Sequence, residues 1–320
     1  MQIRCINIEV TFRSYNRHLQ EKYGRKAYRV AVDAGFSCPH RGENRTNPGC
    51  TFCDKYGSMA PYQGSEPNLR NQVNDGIRFL KKRYGAEVFL LYFQPYSNTF
   101  ASVSTLNRIY DLGLSLAPFR ELIVATRPDC INREKAELLA SYRREDLEVW
   151  VELGLQSTCD RTLLRVNRGH TAEDFFDAYR MLKLQGLKIA VHLMFGLPGE
   201  TWQKTLETVR EVAALDPDGV KIHNLHIAKN TALYEEFLRG ELTAPGSVRH
   251  LTNTIQALEY LPAHTVIMRL TCDTPASRLA APRAFWEKSR FYNVLRGEMK
   301  RRNACQGRLF RGRFTDSRFL

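Results

Sequence analysis

The stretch YRVAVDAGFSCPHRGENRTNPGCTFC, residues 28 to 53, joins a strand pattern to a cysteine loop. Its first residues form an apolar, β-prone run without strict alternation, as expected of a parallel strand buried on both faces. The remainder is rich in Gly, Pro and Asn and holds Cys38, Cys50 and Cys53. Three soft ligands directly after a strand pose a chemical question, because closed metal sites usually have four.

Outward from this stretch, six further runs read as strands. They are EVFLLYF (87–93), ELIVAT (121–126), EVWVELGL (148–155), KIAVHLMF (188–195), GVKIHNLHI (219–227) and TVIMRL (265–270). Helical patterns lie between them: Leu69, Val73, Ile77 and Leu80 share one face, as do Phe175, Phe176, Tyr179 and Leu182. Thr171 and Asp174 are spaced as a capping box. Such alternation predicts a parallel α/β sheet, either open and doubly wound or a full or partial barrel. Unusual polar residues follow the strands, in QPYSNT, RPDC, QST and GLPGET. That is where parallel α/β folds build their sites.

The chain has 320 residues, 43% apolar and 25% charged, which suits a globular protein with a sizeable core. No apolar run is long enough to span a membrane, and the first residues carry no export pattern. Eight cysteines in that setting fit a reducing cytoplasm, where clustered thiols bind metal more often than they pair. The net charge of +13 sits at the ends: +5 within residues 1–30 and +8 within 283–320. A neutral body with two basic ends suits a polyanionic partner, or else solvated tails.

The cysteine spacing has three readings. One is structural zinc, with His40 completing a Cys3His set. Another is three unrelated structural thiols. The third is an iron–sulfur cluster with one iron left for a small-molecule ligand. Zinc loops commonly staple small folds, whereas this loop follows the first strand of a large α/β domain, which favours the cluster.

The segments VDAGFSCPHR, GCTFC, YFQPYSNT, ATRPDC, WVELGLQS, NRGH, HLMFGLPGE, GVKIHNLHIAKNT and MRLTCDTP together resemble the radical S-adenosylmethionine (SAM) superfamily. The first cysteine gap exceeds the commonest C-x3-C-x2-C form, and in this it is similar to YhcC/YtqA-type members and the Elongator catalytic subunit. The resemblance implies a partial (β/α)6-type TIM-like barrel over 28–270. A basic segment, 1–27, would precede it, and a basic aromatic extension, 271–320, would pack on it.

Carried over, the resemblance implies that Cys38, Cys50 and Cys53 hold a [4Fe–4S] cluster whose open iron binds SAM. A low-potential donor, flavodoxin or ferredoxin, would supply the electron that yields a 5′-deoxyadenosyl radical. Tyr92, Phe93 and Gln94 would hold the methionine amine through backbone groups, and Arg168 its carboxylate. Glu152 and Gln156 would contact the adenosyl moiety, with His192 near the ribose. GLPGE (196–200) reads equally as a turn beside the adenine and as a helix start.

On the substrate side, the resemblance points to tRNA wobble uridine. The step would convert 5-carboxymethylaminomethyluridine to 5-aminomethyluridine, leaving the product to a separate methyltransferase. Arg127 and Arg269 are candidates to grip the carboxylate, and Lys229 a phosphate or carboxylate. His223 is favoured over His226, because the two point to opposite faces unless the strand bends. The tail RAFWEKSRFYNVLRGEMKRRNACQGRLFRGRF interleaves aromatics with arginines, which suits RNA. Cys5, Cys130, Cys159, Cys272 and Cys305 read as ordinary thiols, Cys130 being nearest the cavity. Two other functions compete: a radical SAM enzyme on a metabolite or peptide, and a zinc-stabilised RNA-binding protein without redox chemistry.

Overall fold

Seven parallel strands form one sheet whose spatial order follows the chain, in a computed structural model that describes residues 11–42, 44–57 and 66–312. They are β1 (Ala27–Val32), β2 (Val88–Phe93), β3 (Phe119–Thr126), β4 (Glu148–Gln156), β5 (Lys188–Phe195), β6 (Gly219–Asn224) and β8 (Val266–Arg269). Two short strands, β7 (Ile227–Ala228) and β9 (Leu279–Ala281), pair antiparallel beside it. The first helices are α1 (Tyr15–Tyr23), α2 (Leu69–Tyr84), α3 (Val103–Ser115), α4 (Arg133–Ser141) and α5 (Asp160–Arg165). After them come α6 (Ala172–Leu184), α7 (Trp202–Ala214), α8 (Ala232–Leu238), α9 (Ser247–Tyr260) and α10 (Lys288–Arg301). This is the expected α/β partial barrel, with TVIMRL as a seventh strand at its edge. The sheet stays open, since β1 and β8 do not pair with each other.

Each crossover helix begins where the sequence supplies a cap. Asn68, Ser102, Asn132 and Thr201 accept backbone N–H bonds at the starts of α2, α3, α4 and α7. Thr171 and Asp174 form the capping box of α6. The outer face of the sheet packs on these helices through Val30, Leu91, Phe93, Val124, Val151 and Val191, all fully buried. Its inner face carries a smaller cluster in which Ala31, Ala125 and Ala190 leave space between Tyr92, Ile123 and Trp150. Parity along each strand therefore separates a greasy outer layer from an inner layer that admits polar side chains.

The end opposite the site is closed by α1, whose Leu19 joins the inner cluster. Glu121, fully buried on β3, accepts from Lys22 Nζ (2.9 Å) and Tyr23 Oη (2.8 Å), which fastens the helix there. Just before it, the Ile267 N–H donates to the Arg13 carbonyl, so residues ahead of α1 cover the outer edge of β8. Part of the 1–27 segment is thus integral to the barrel.

At the other terminus, α10 buries Phe291, Leu295 and Met299 completely against α9 and the sheet. Each such side chain contributes roughly 1.5–3 kcal/mol of transfer free energy. Phe285, Trp286 and Tyr292 are half-buried beside them, and the Leu270 N–H donates to Tyr292 Oη. The opposite face of α10 exposes Arg290, Arg296, Lys300 and Arg301. Cys305, expected as an ordinary thiol, is disulfide-bonded. Cys5 and the last eight residues lie outside the described residues.

Candidate active site

At the carboxyl ends of the strands a cavity of about 1060 Å3 opens, and Cys38, Cys50 and Cys53 all line it. The loop bearing them is organised by a buried arginine. Arg41 donates to the Cys53 and Asp54 carbonyls at 2.8 and 2.7 Å. A Cβ on Gly49 would stand 2.9 Å from its Nε, so only glycine fits there. Around this centre Arg45 makes a bidentate pair with Asp33, and Arg278 bonds Asp54 at 2.7 Å. Asn167 Nδ2 ties the loop to the NRGH turn through the Gly49 carbonyl (2.8 Å). Burial pushes the Cys53 thiol up to about 11, with Cys50 adding to the effect, and raises Cys38 as well.

His40 lines the same cavity as the three cysteines, and its buried Nδ1 has no hydrogen-bond partner among the described residues. Its ring lies on Gly169, where a Cβ would fall 1.7 Å from Nε2. Among the described residues, no three His, Cys, Asp or Glu side chains converge on a single ion. A cubane, whose irons occupy separate corners, asks its thiolates to stand further apart than one ion does.

The inner face of the sheet centres on Glu152 of β4, fully buried. Its carboxylate accepts from Arg29 NH1 (2.7 Å), Tyr92 Oη (2.5 Å), Lys221 Nζ (2.7 Å) and His192 Nε2 (3.0 Å). Burial alone would raise Glu152, but Lys221, Arg29 and His192 together hold it well below the usual carboxylate range. Burial also draws Lys221 down to about 7 against the pull of Glu152. His192 is held at about 4 by burial and by Lys221. A neutral His192 facing a carboxylate through Nε2 donates there, which leaves Nδ1 as an acceptor.

His223 stands 5.5 Å from His192, ring to ring, and its buried Nε2 has no hydrogen-bond partner among the described residues. Burial, with His192 and Arg269, keeps it neutral. His226 faces the same cavity, because β6 stops at Asn224 and the chain bends before β7. The bend that the sequence reading left as a condition is present. His226 is bonded to Asn224 Nδ2 and Thr274 Oγ1.

Gln94, Gln156, Arg127, Arg168 and Arg269 also line the cavity. Arg168 sits beside the thiols: NH1 is 3.5 Å from Cys50 Sγ, NH2 donates to the Gly154 carbonyl, and Nε faces His170. Gly154 makes room for it, since a Cβ would lie 2.5 Å from NH2. Arg127 does not await a carboxylate. It is bidentate to Asp129 (2.8 and 2.7 Å), with NH1 4.0 Å from Cys50 Sγ.

Two expected residues are not among those lining the cavity, though for Phe93 the role expected was one of backbone groups, which its ring does not decide. Phe93 turns its ring to the outer core, opposite Tyr92, and its carbonyl accepts from Asn98 Nδ2. Lys229 lies outside, donating to the Ser277 carbonyl. Cys130 is buried off the cavity, and Cys272 lines it instead. GLPGE serves as a helix start: Thr201 caps α7, while Glu200 accepts from Ser157 and Thr205.

Comparison with known proteins decides what this arrangement belongs to. The Radical SAM superfamily model matches residues 38–212, and the Radical_SAM C-terminal domain model matches 217–301. The chain belongs to the radical SAM superfamily. It is 31% identical to the uncharacterised protein YtqA of Bacillus subtilis over 95% of this chain and 94% of that one. It is 32% identical to a tRNA uridine(34) acetyltransferase of Methanocaldococcus infernus over 49% of this chain and 29% of the other. The structure of M. infernus Elp3 with an N-terminal deletion superposes with a TM-score of 0.68 at 20% identity, covering 88% of this chain and 64% of that one. The last likeness concerns the fold.

Radical SAM proteins use a [4Fe–4S] cluster and SAM. The donor set of this chain fits them: three thiols on one cavity wall, with the Gln156 Oε1 and His223 Nε2 atoms buried there and unpartnered among the described residues. Cys38, Cys50 and Cys53 would hold the cluster, and Arg168, beside Cys50, would face the charged end of the cofactor. Bound there, the pair supplies a carbon radical able to abstract hydrogen from an unactivated position. The chain's own part is to hold donors in place, exclude water and keep His192 and His223 neutral. Arg41 and Arg29 were not foreseen as part of this site. Arg29 alone had a visible signal, being a charge in the middle of an apolar strand.

Proposed function

We propose that this radical SAM enzyme acts on tRNA, removing the carboxymethyl part of 5-carboxymethylaminomethyluridine at the wobble position to leave 5-aminomethyluridine. The observation that carries the reading is the charge of the cavity, lined by eight lysines and arginines against three carboxylates. A polyanion bearing a further carboxylate suits such a wall. The basic outer face of α10 supports it, as does the sequence likeness to a protein named for uridine 34 of tRNA. Loss of the hydrogen between the amine and the carboxylate would leave a carbon radical stabilised by both; transfer of its odd electron back to the oxidised cluster would give an iminium, whose C–N bond water would split to 5-aminomethyluridine and glyoxylate. A low-potential flavodoxin or ferredoxin would supply the electron, and a separate methyltransferase would take the product.

Nucleoside mass spectrometry of tRNA from a strain lacking this protein tests the reading. The carboxymethylaminomethyl nucleoside should accumulate at the expense of its aminomethyl descendants. An unchanged profile refutes the tRNA reading and leaves radical SAM chemistry intact.

A further inference from the structure

We propose that Arg269 and Lys288 form an oxyanion subsite for the substrate, at the edge of the cavity furthest in the sheet from the cysteine strand. Arg269 ends β8, and Lys288 is the first residue of α10; both line the cavity. β8 and β1 are the two edges of the open sheet, and it is β1 that leads into the three thiols. The inference rests on the tRNA reading for the identity of the ligand, though not for the presence of the subsite.

The pair is distinguished by what it lacks. Arg127 is committed to Asp129, Arg278 to Asp54 and Arg29 to Glu152. Among the described residues, neither Arg269 nor Lys288 has an ion-pair or side-chain hydrogen-bond partner. Burial, and then Arg269 itself, hold the Lys288 ammonium below its usual range, so each cation stands in the field of the other. Asp273 lines the same stretch of the cavity and acts on Lys288 with the opposite sign, but both are exposed and the carboxylate makes no ion pair among the described residues. Lys288 is exposed and Arg269 half-buried, so solvent screens part of the repulsion between the two like charges, and an anion held between them would relieve the rest.

A second feature points to the same ligand. The buried Nε2 of His223 is unpartnered, and Arg269 is among the charges that act on this ring. A guanidinium fork, an ammonium and an imidazole facing one space match a carboxylate or a phosphate. The carboxylate of the uridine substituent and a backbone phosphodiester share that chemistry.

The test uses holoenzyme purified without oxygen and two anticodon stem-loop RNAs, carrying either 5-carboxymethylaminomethyluridine or 5-aminomethyluridine at the wobble position. Arg269→Gln and Lys288→Gln should each weaken binding by roughly ten- to hundredfold, the loss expected for a charged hydrogen bond. Loss confined to the carboxylate RNA identifies the substituent as the anion, and equal loss on both identifies a phosphodiester. Lys229→Gln, which lies outside the cavity, serves as the control and should bind both RNAs as the wild type does. Unaltered binding of both RNAs by Arg269→Gln and Lys288→Gln overturns the subsite. If the wild type binds neither RNA, the tRNA reading fails and inorganic phosphate becomes the probe. A saturable rise in Tm with phosphate that Arg269→Gln abolishes then sustains the subsite; an equal rise in both, or none in the wild type, overturns it.

Discussion

Gly169 and His40 show how much of the site is decided by the absence of single atoms. The glycine has φ +74°, and its missing Cβ is the space into which the His40 ring settles. An alanine would carry backbone strain of roughly 1 kcal/mol from the positive φ. It would also evict the ring from the turn that carries Cys38. Gly169→Ala should therefore lower iron and acid-labile sulfide per chain after anaerobic reconstitution. Gly169→Ala/His40→Ala should recover part of it, since the clash is removed and the φ strain remains. Equal iron content in the single variant and the wild type would contradict the packing argument. At this scale the three cysteines, Glu152, His192 and Arg168 could be named in advance because each lies within a recognisable segment, and the structure brings all six to the cavity. Arg41 could not. A lone arginine in a glycine-rich loop reads as solvated, and its burial depends on the carbonyls of Cys53 and Asp54 and on the bare Gly49. Phe93 was expected through its backbone alone, and strand parity sends its ring opposite to Tyr92.

Elements were more legible than contacts. Every apolar run became a strand with ends shifted by at most a few residues, because parallel strands buried on both faces leave an unbroken signal. The exception, GVKIHNLHI, was read as one strand and is two. Its break is held by long-range bonds from Thr271 and Cys272 to Asn224, which no local pattern records. The docking of α10 likewise turns on a residue of another element. His250 of α9 is buried against Phe291 and Phe285, and its Nε2 donates to the Leu270 carbonyl (2.7 Å). Burial lowers its pKa to about 4, against an ordinary value near 6.5. Between those values the unfolded chain binds a proton that the folded chain refuses, so stability must fall as pH drops from 6.5 to 4. One such histidine contributes a slope approaching about 1.4 kcal/mol per pH unit. His170, His192 and His226 are also lowered to about 4 and act with the same sign. His250→Leu should flatten the dependence of the urea midpoint on pH across this window, while leaving the part due to the other histidines that burial lowers. Parallel profiles for variant and wild type would show that His250 does not carry the proton linkage assigned to it.

For the molecule as a whole, charge placement outlasts every local detail. The barrel spends its interior charges on one another: Glu152 with Arg29 and Lys221, and Glu121 with Lys22. The net +13 sits in the two ends of the chain, and part of it is carried by Arg290, Arg296, Lys300 and Arg301 on the outer face of α10. That partition was visible in composition as two basic ends on a neutral middle. The fate of the N-terminal end was not, because residues 11–27 turn out to plug the barrel, whereas the C-terminal extension was expected to pack on the barrel, as α10 does. An RNA held by such a surface releases counterions as it binds, so log affinity should fall linearly with log salt concentration. Arg290 and Lys300 are exposed on α10 and lie outside the cavity lining, so they can reach phosphates without touching the chemistry. Arg290→Gln and Lys300→Gln should each reduce the magnitude of that slope by about one, uniformly across RNA sequences. Fluorescence anisotropy of labelled tRNA at several salt concentrations reads it directly. A wild-type affinity that salt barely moves would show that the basic faces are solvated surface, and would return the substrate to the class of metabolites or peptides.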